Sequence, residues 1–226
     1  MQNDNLNIWE NIFQHNEWGK YPSVALIKFI AKNFYKVESR KDIKVLELGS
    51  GTGSNLWFCA REGFSVYGID GSQTAVDKML NRFENENLTD NLLGTSVGDY
   101  YDKLDDIVDK SFDAIIDVES LYCNSFDKSR EIIKKAFSKL KDNGVMFSLT
   151  FADGTYGISG DEVDYHAVIP KEGPMSGKGF TRYVLRSDIE RLYKLDNNMI
   201  TNIERQELHL NNGEAIKEWI IELRKI

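Results

Sequence analysis

Short apolar runs bounded by glycine or polar residues recur along the chain, a pattern typical of buried β-strands. The clear runs cover residues 43–48, 64–70, 112–117 and 145–151, and a weaker run covers 92–97. The last clear run is apolar at almost every position, which predicts a strand covered on both faces. The pattern therefore predicts a β-sheet that is buried between other elements.

Segments with helical periodicity alternate with these runs. Residues 54–61 follow the first run, and 72–85 follow the second with Ser72 as the predicted N-cap. A later helical stripe is predicted to end at Asn143-Gly144, because these residues favour the left-handed conformation that closes a helix. Strand and helix in strict alternation predict parallel strands joined by right-handed crossovers.

Both ends of the chain and one long loop depart from this alternation. Residues 6–36 predict helix, with Pro22 in a first turn, and Ser187 begins an S-x-x-E capping box that starts the last helix. Residues 199–226 predict two strands around an Asn-Gly turn. Residues 152–181 are rich in glycine with little periodicity, and a loop that long is usually functional or mobile.

The length of 226 residues predicts one large domain. We divide it into a helical cap at 1–36, which belongs to the same domain, and a main part at 37–226. The main part contains a predicted lid or substrate loop at 152–181.

Composition excludes several classes of protein. The chain has 28 Lys and Arg against 36 Asp and Glu, a net charge of −8, so it should repel phosphate backbones and bind no nucleic acid. The two cysteines, Cys59 and Cys123, form no C-x-x-C pair, which argues against a disulfide scaffold or zinc site and favours a reducing cytoplasm. No apolar run is long enough to span a membrane, and the first residues do not resemble a signal peptide.

The strongest chemical signal follows the first predicted strand. Glycines at 49, 51 and 53 alternate with small residues, which lets the backbone turn tightly and approach a ligand without Cβ clashes. A dinucleotide site requires G-x-G-x-x-G, whereas this chain has G-x-G-x-G. Glu47 lies two residues before the first glycine, and an acid there suits a positively charged ligand better than a diphosphate.

The segment resembles motif I of class I S-adenosylmethionine (SAM)-dependent methyltransferases, E-x-G-x-G-x-G, and further family features follow in order. Asp70 closes the second strand, where the family's acid binds the ribose hydroxyls. Asp99 and Tyr100 resemble the adenine-binding segment after the third strand. Asp117 ends the fourth strand, where family members contact the methionine moiety and begin the substrate site. Tyr21 lies in a segment similar to the N-terminal cap of small-molecule methyltransferases.

The resemblance implies a Rossmann-like α/β fold, a doubly wound, mostly parallel sheet of seven strands with the last strand antiparallel. It implies SAM as the cofactor, bound by residues of the cap, the glycine loop and the strand ends: Tyr21, Glu47, Gly49, Ser50, Gly51, Gly53, Asp70, Gly71, Asp99, Tyr100 and Asp117. Plainer roles remain open for individual residues: Asp70 as a helix cap, Asp99 as a turn acid and Tyr21 as a packing residue.

Departures from the motifs of related families narrow the range of possible methyl acceptors. The fourth strand is followed by Asp-Val-Glu-Ser instead of the N/D-P-P-Y/F of enzymes that methylate exocyclic amines, and there is no Pro-Cys nucleophile pair. No metal-ligand cluster like that of catechol O-methyltransferases is present, so we predict no metal. We predict a small polar acceptor, a metabolite or glycan precursor. Two alternatives remain: a non-catalytic SAM-binding protein and an NAD-type oxidoreductase.

Methyl transfer to a hydroxyl gains from a general base, whereas an amine needs only the right protonation state. His166, in the long loop, is the first candidate for this base, with Glu119 next and His15 as a further possibility. His166 could equally be a solvated loop residue. The sequence leaves open the acceptor, the choice between O- and N-methylation, and the oligomeric state.

Overall fold

A computed structural model describes the backbone of residues 2–226 and the side chains of residues 5–226. Met1, the first residue of the predicted cap, lies outside the described residues. The strands are, in chain order, β1 (Lys44–Leu48), β2 (Ser65–Asp70), β3 (Leu92–Val97), β4 (Phe112–Val118), β5 (Leu140–Phe151), β6 (Ala167–Val168), β7 (Thr181–Arg182), β8 (Asn198–His209) and β9 (Ala215–Lys225).

Seven of these strands form one sheet in the order β3-β2-β1-β4-β5-β9-β8, and β6 and β7 pair separately. The first five strands run parallel to one another. The last strand, β9, is antiparallel to both β5 and β8. This confirms the predicted α/β fold with a mostly parallel sheet and an antiparallel last strand.

Helices cover both faces of the sheet. They are α1 (Gln2–His15), α2 (Val24–Phe34), α3 (Ser54–Arg61), α4 (Gln73–Asn85), α5 (Tyr100–Lys103), α6 (Phe126–Lys139) and α7 (Asp188–Tyr193). The buried faces of α2, α3 and α4 share one apolar core with the sheet, and those of α5, α6 and α7 share the other. Helix α1 packs against α4.

Three local predictions were wrong. Residues 6–36 do not form one helix, because Ser23 accepts the Leu26 N–H and starts α2 as a separate element. Helix α6 ends at Lys139, before the predicted stop at Asn143-Gly144, because the chain pairs at once with the start of β4. The Ser187 side chain makes no capping hydrogen bond, although α7 begins at the next residue.

Candidate active site

A cavity of about 540 Å³ lies at the edge of the sheet where β1, β2 and β4 end. Carboxyl ends of parallel strands are the usual ligand position in open α/β sheets. Because β9 runs the other way, its first residues reach the same edge. The sequence-predicted residues that line the cavity are Tyr21, Gly49, Ser50, Gly51, Asp70, Gly71, Asp99, Tyr100 and Glu119. Glu47, Gly53, Asp117 and His166 are not among the described residues lining it.

The glycine loop after β1 follows a backbone path that suits glycine. Gly49, Gly51 and Gly53 have φ angles of 70°, 51° and 80°, in the left-handed region. The backbone amides of Gly49 and Ser50 donate to the Ile69 carbonyl at 2.8 and 3.0 Å. These bonds tie the loop to β2 and set the floor of the cavity.

Gly51 and Gly53 differ in what surrounds them. The nearest atoms to a Cβ at Gly51 belong to the Phe13 ring, at 3.6 Å, and both residues line the cavity. A Cβ at Gly53 would lie 2.3 Å from Cγ of Met79, inside the core. Gly51 therefore borders ligand space, whereas Gly53 allows α3 to start close to α4. The predicted contact of Gly53 with a cofactor stays a prediction.

Glu47 lies behind the loop, fully buried. Asn55, which lines the cavity, donates from Nδ2 to Glu47 Oε1 at 2.6 Å, and Oε2 has no partner among the described residues. Burial, together with the charges of Asp70 and Asp117, raises the pKa of Glu47 well above its usual value. An unsatisfied buried carboxyl is costly, and a cationic ligand group beside it would relieve that cost.

Asp70 holds the loop from the end of β2. Its Oδ2 accepts the Gly51 N–H at 2.6 Å, and its Oδ1 accepts the Ser72 N–H at 2.8 Å. Burial raises the pKa of Asp70. Each carboxylate oxygen has a second acceptor site, so Asp70 can still bind ligand hydroxyls. Gly71 lies against α1, where a Cβ would meet Leu6.

Asp99 and Tyr100 form the wall beyond β3. Asp99 caps α5 by accepting the Tyr101 N–H at 2.9 Å, and its Oδ2 lies 2.7 Å from the Lys128 ammonium. The Tyr100 hydroxyl accepts from Asn124 Nδ2 at 2.7 Å. Burial raises the pKa of Tyr100 well above its usual value, so the phenol stays neutral. The predicted contact of Asp99 with adenine stays a prediction.

The turn after β4 presents Glu119 to the cavity. Asp117 is buried under this turn, where its Oδ1 accepts the Ser120 and Leu121 N–H groups at 3.2 and 2.9 Å. Burial raises the pKa of Asp117 to about 6. Glu119 has a left-handed φ of 51°, a conformation that a non-glycine residue keeps only when its surroundings impose it. Asp117 therefore shapes the turn instead of lining the cavity, and Val118, Glu119 and Ser120 line it.

Glu119 faces a second carboxyl group that the sequence did not reveal. Glu218 of β9 lies beside Glu119 and lines the same cavity, and Gln206 Nε2 donates to Glu218 Oε2 at 2.8 Å. Burial among protein atoms, followed by the Glu218 carboxyl, raises the pKa of Glu119 to about 8. Lys178 lines the same part of the cavity, and burial lowers its pKa. This end of the cavity is polar and can hold a proton.

Helix α1 covers the other end. Trp9, Phe13 and Trp18 pack as an aromatic cluster with ring centroids 5.4–5.7 Å apart, and all three line the cavity. Asn5 joins α1 to the long loop: its Oδ1 accepts the Phe180 N–H at 3.0 Å, and its Nδ2 donates to the Phe180 carbonyl at 3.3 Å. The cap and the loop thus meet over the cavity.

Glu10 and Lys78 fasten α1 to α4. The Glu10 carboxylate accepts hydrogen bonds from the side chains of Ser72 and Thr74, at the start of α4. Lys78 donates to the Phe13 carbonyl at 2.6 Å.

Tyr21 lies at the rim of the cavity, 75% exposed, with its ring against that of Trp57 in an edge-on arrangement. Its contact with a cofactor stays a prediction.

His166 lies away from the cavity, which corrects its predicted place facing the transferring methyl. Its Nδ1 is 2.7 Å from Oδ2 of Asp188, whose side chain is buried, and its ring stacks on Tyr183 at 5.2 Å. The His166 carbonyl also accepts the Tyr183 N–H at 2.8 Å. These contacts anchor the long loop to α7, and they leave Glu119 as the predicted base that lines the cavity.

Sequence reasoning missed the partners that reach the site from distant segments. Trp9 and Phe13 are four residues apart on a predicted helix, a spacing that places them on one face and could have indicated a lining role. Gln206 and Glu218 pair across the final hairpin. No local signal marks them, because their position depends on how the hairpin joins the sheet.

S-adenosylmethionine fits this site on the chemistry of its residues. The partnerless Glu47 Oε2 suits a cationic group, the buried Asp70 carboxylate suits ribose hydroxyls, and the Ser50 hydroxyl also has no partner among the described residues. In residues 5–226 no group of three His, Cys, Asp or Glu side chains is placed to hold a metal ion. None of the helices within 2–226 has both the length and the apolar character needed to cross a bilayer.

The fold and the site together define a class I SAM-dependent methyltransferase, with S-adenosylmethionine as cofactor. A family model described as a methyltransferase domain matches residues 16–193. The chain belongs to this methyltransferase domain family. The predictions of family, enzyme class and cofactor are confirmed.

Solved structures share the fold at low sequence identity. A SAM-dependent methyltransferase from Methanosarcina mazei has a TM-score of 0.67 and 19% identity, covering 87% of this chain and 97% of its own. The 1,6-didemethyltoxoflavin-N1-methyltransferase of Burkholderia thailandensis was solved with 1,6-didemethyltoxoflavin and S-adenosylhomocysteine. It has a TM-score of 0.67 and 11% identity, and the match covers 99% of this chain and 86% of its own. A structure concerned with conversion of a disulfide bond into a thioacetal group in echinomycin biosynthesis has a TM-score of 0.70 and 16% identity. That match covers 97% of this chain and 91% of the other. No curated protein sequence matches the chain.

Proposed function

We propose that this enzyme transfers the methyl group of SAM to a small polar acceptor bound beside Glu119. The observation that carries the proposal is that one cavity of about 540 Å³ joins the glycine loop to the polar end that contains Glu119, Glu218 and Lys178. A cavity of that volume has to hold cofactor and acceptor together, which favours a small acceptor. The N1-methyltransferase solved with bound 1,6-didemethyltoxoflavin supports a small-molecule acceptor on this fold.

Each part of the cavity has a proposed task. The glycine loop and Asp70 bind the adenosine ribose, and Asn55, whose amide group donates to the buried Glu47, binds the ammonium end with that carboxyl group behind it. The cofactor supplies an electrophilic methyl group on a sulfonium. Aligning the acceptor with this methyl group can contribute roughly 7–11 kcal/mol toward the barrier. Glu119 takes the acceptor's proton at its carboxylate, and α1 with the long loop excludes water.

The acceptor class remains O–H or N–H of a metabolite or glycan precursor, and the acidic chain favours neither DNA nor RNA. Two free cysteines, one of them buried, support a reducing, cytoplasmic setting.

Thermal-shift and isotope assays test the proposal in sequence. S-adenosylhomocysteine at 100 times its Kd should stabilise the protein by about 2.7 kcal/mol, and NAD should give no shift. Methyl-labelled SAM should then yield labelled small-molecule products with a panel of hydroxyl and amine acceptors. A NAD shift without a SAM shift would refute the proposal, and SAM binding without product from any acceptor would favour the non-catalytic alternative.

A further inference from the structure

Glu119 and Glu218 form a pair of carboxyl groups in the cavity that receives a cationic cofactor. The two side chains come from different elements, the turn after β4 and the start of β9. The backbone of Glu119 is held by its N–H bond to the Leu149 carbonyl at 2.8 Å, and Gln206 holds Glu218. Both residues line the same cavity, where the bond from Gln206 holds the Glu218 carboxyl group and the backbone bond holds the position of Glu119 in its turn.

The charges around the pair set how many protons it holds. Two carboxylates so close together repel each other, so one of them tends to keep a proton, as in other paired acids. Lys178 supplies one nearby positive charge. The titratable groups that face Glu119 from the elements packed around it are Glu218, Lys178, Asp117 and Tyr122. With Lys178 charged and one proton on the pair, the lysine balances the pair's remaining carboxylate, and Asp117 beneath the turn adds negative charge above its pKa of about 6.

We propose that the Glu119–Glu218 pair is a proton-holding site whose occupancy follows the charge of the cofactor's sulfur. The pair gives up its proton when a sulfonium lies in the cavity, and it takes the acceptor's proton as that charge is lost. This inference rests on the proposed function. It names Glu119 as the proton acceptor and Glu218 as a positioning residue that acts through Glu119.

The step balances in atoms and charge. The carboxylate of Glu119 removes the proton from the acceptor's O–H or N–H bond, whose electron pair stays on the oxygen or nitrogen. That atom forms its bond to the methyl carbon as the carbon–sulfur bond breaks, and the breaking bond's electron pair stays on sulfur. One positive charge on sulfur and one negative charge on Glu119 disappear together. The products are a thioether, the methylated acceptor and a neutral Glu119 carboxylic acid.

The sulfonium charge also sets the direction of the pH dependence. A sulfonium stabilises the ionised pair, so SAM binding should release protons at a pH where the free pair is still protonated. S-adenosylhomocysteine lacks the sulfonium charge and should release fewer protons. The affinity ratio of SAM to S-adenosylhomocysteine should therefore rise with pH, by up to about tenfold per pH unit for one full proton.

Isothermal titration calorimetry in buffers of different ionisation enthalpy measures this proton count without any turnover. The wild type is titrated with SAM and with S-adenosylhomocysteine between pH 6 and pH 9, and the difference in protons released is taken. We expect a maximum of up to one proton near neutral to mildly alkaline pH. Glu119→Gln should remove that maximum, and its residual curve reports the titration of the ligands and of the other cavity groups.

Two further variants separate a pair from a single acid. Glu218→Gln removes the like charge, so the maximum should move to lower pH. Glu214→Gln is the matched control, because Glu214 is exposed in the turn before β9 and is not among the residues that line the cavity. It should leave the proton count unchanged.

The outcomes distinguish the two proposals. If neither ligand binds, the proposed function fails. If both bind with equal proton counts in the wild type, cofactor binding stands and the carboxyl-pair inference is overturned. A Glu218→Gln curve identical to wild type would show that Glu119 acts without Glu218, which also overturns the pair.

Discussion

Asp70→Asn tests the link between the glycine loop and the cofactor in a single substitution. The carboxylate accepts one backbone N–H on each oxygen, from Gly51 at 2.6 Å and from Ser72 at 2.8 Å. Asparagine keeps the volume but replaces one acceptor oxygen with an NH₂ group, which then faces a backbone N–H. The variant therefore loses a charged acceptor both for the loop and for the ribose hydroxyls.

The structure sets different magnitudes for stability and for binding. Losing one charge-assisted bond costs about 1.5–3 kcal/mol in binding, which is a rise in Kd of roughly 10- to 150-fold. In the free protein, burial raises the pKa of Asp70, which means that the ionised carboxylate is unfavourable there. Asparagine carries no charge, so it offsets part of the stability that is lost with the hydrogen bond. We expect a decrease of about 1 kcal/mol in the free energy of unfolding, or roughly 2–4 °C in Tm.

Calorimetry with S-adenosylhomocysteine gives Kd, and thermal unfolding of the free protein gives Tm. Asp77→Asn is the matched control, because Asp77 is exposed on the following helix and bonds only Gln73 in the described contacts. It should change neither quantity. A folded Asp70→Asn variant with a Kd within twofold of wild type would mean that Asp70 serves only the loop, and the ribose assignment would fail.

Four other outcomes follow from the structure. Gly51→Val should abolish cofactor binding in calorimetry while circular dichroism stays native, because valine suits neither the left-handed φ nor the ligand space. His166→Ala should lower the free energy of unfolding by about 1–3 kcal/mol by removing a partner of buried Asp188, yet leave kcat near wild type. Gel shifts at physiological salt should show no binding of duplex DNA or tRNA. In hydrogen exchange, residues 6–21 and 152–181 should slow together on adding S-adenosylhomocysteine.

The sequence predicted well those features that local physics decides. Ser72 caps α4 as its position before an amphipathic stretch indicated, and its hydroxyl accepts the Ala75 N–H. The glycine loop and Asp70 meet because a βαβ unit brings adjacent strand ends together. To predict these features it is enough to know the neighbouring residues in the chain and the rule that crossovers between parallel strands are right-handed.

Features that depend on distant packing escaped prediction. Asp117 and Glu119 are two residues apart, yet Asp117 lies under the turn and Glu119 lines the cavity. The reason is that Glu119 adopts a left-handed backbone conformation, which the periodicity of the sequence does not indicate. Glu218 reaches the site only because β9 enters the sheet beside β5. His166 is held elsewhere by Asp188, a contact between loop and helix that no spacing rule contains.

The two ends of the cavity come from separate stretches of the chain, and this has a consequence for how the enzyme can diversify. The cofactor end is built largely from the glycine loop and the strand ends up to Tyr100, whereas the far end combines Glu119, from the turn after β4, with Lys178, Gln206 and Glu218. Selection or engineering can therefore exchange the later stretch and alter acceptor choice while the earlier stretch keeps its cofactor. A chimera that carries a relative's loop and hairpin should inherit that relative's acceptor preference with an unchanged affinity for S-adenosylhomocysteine.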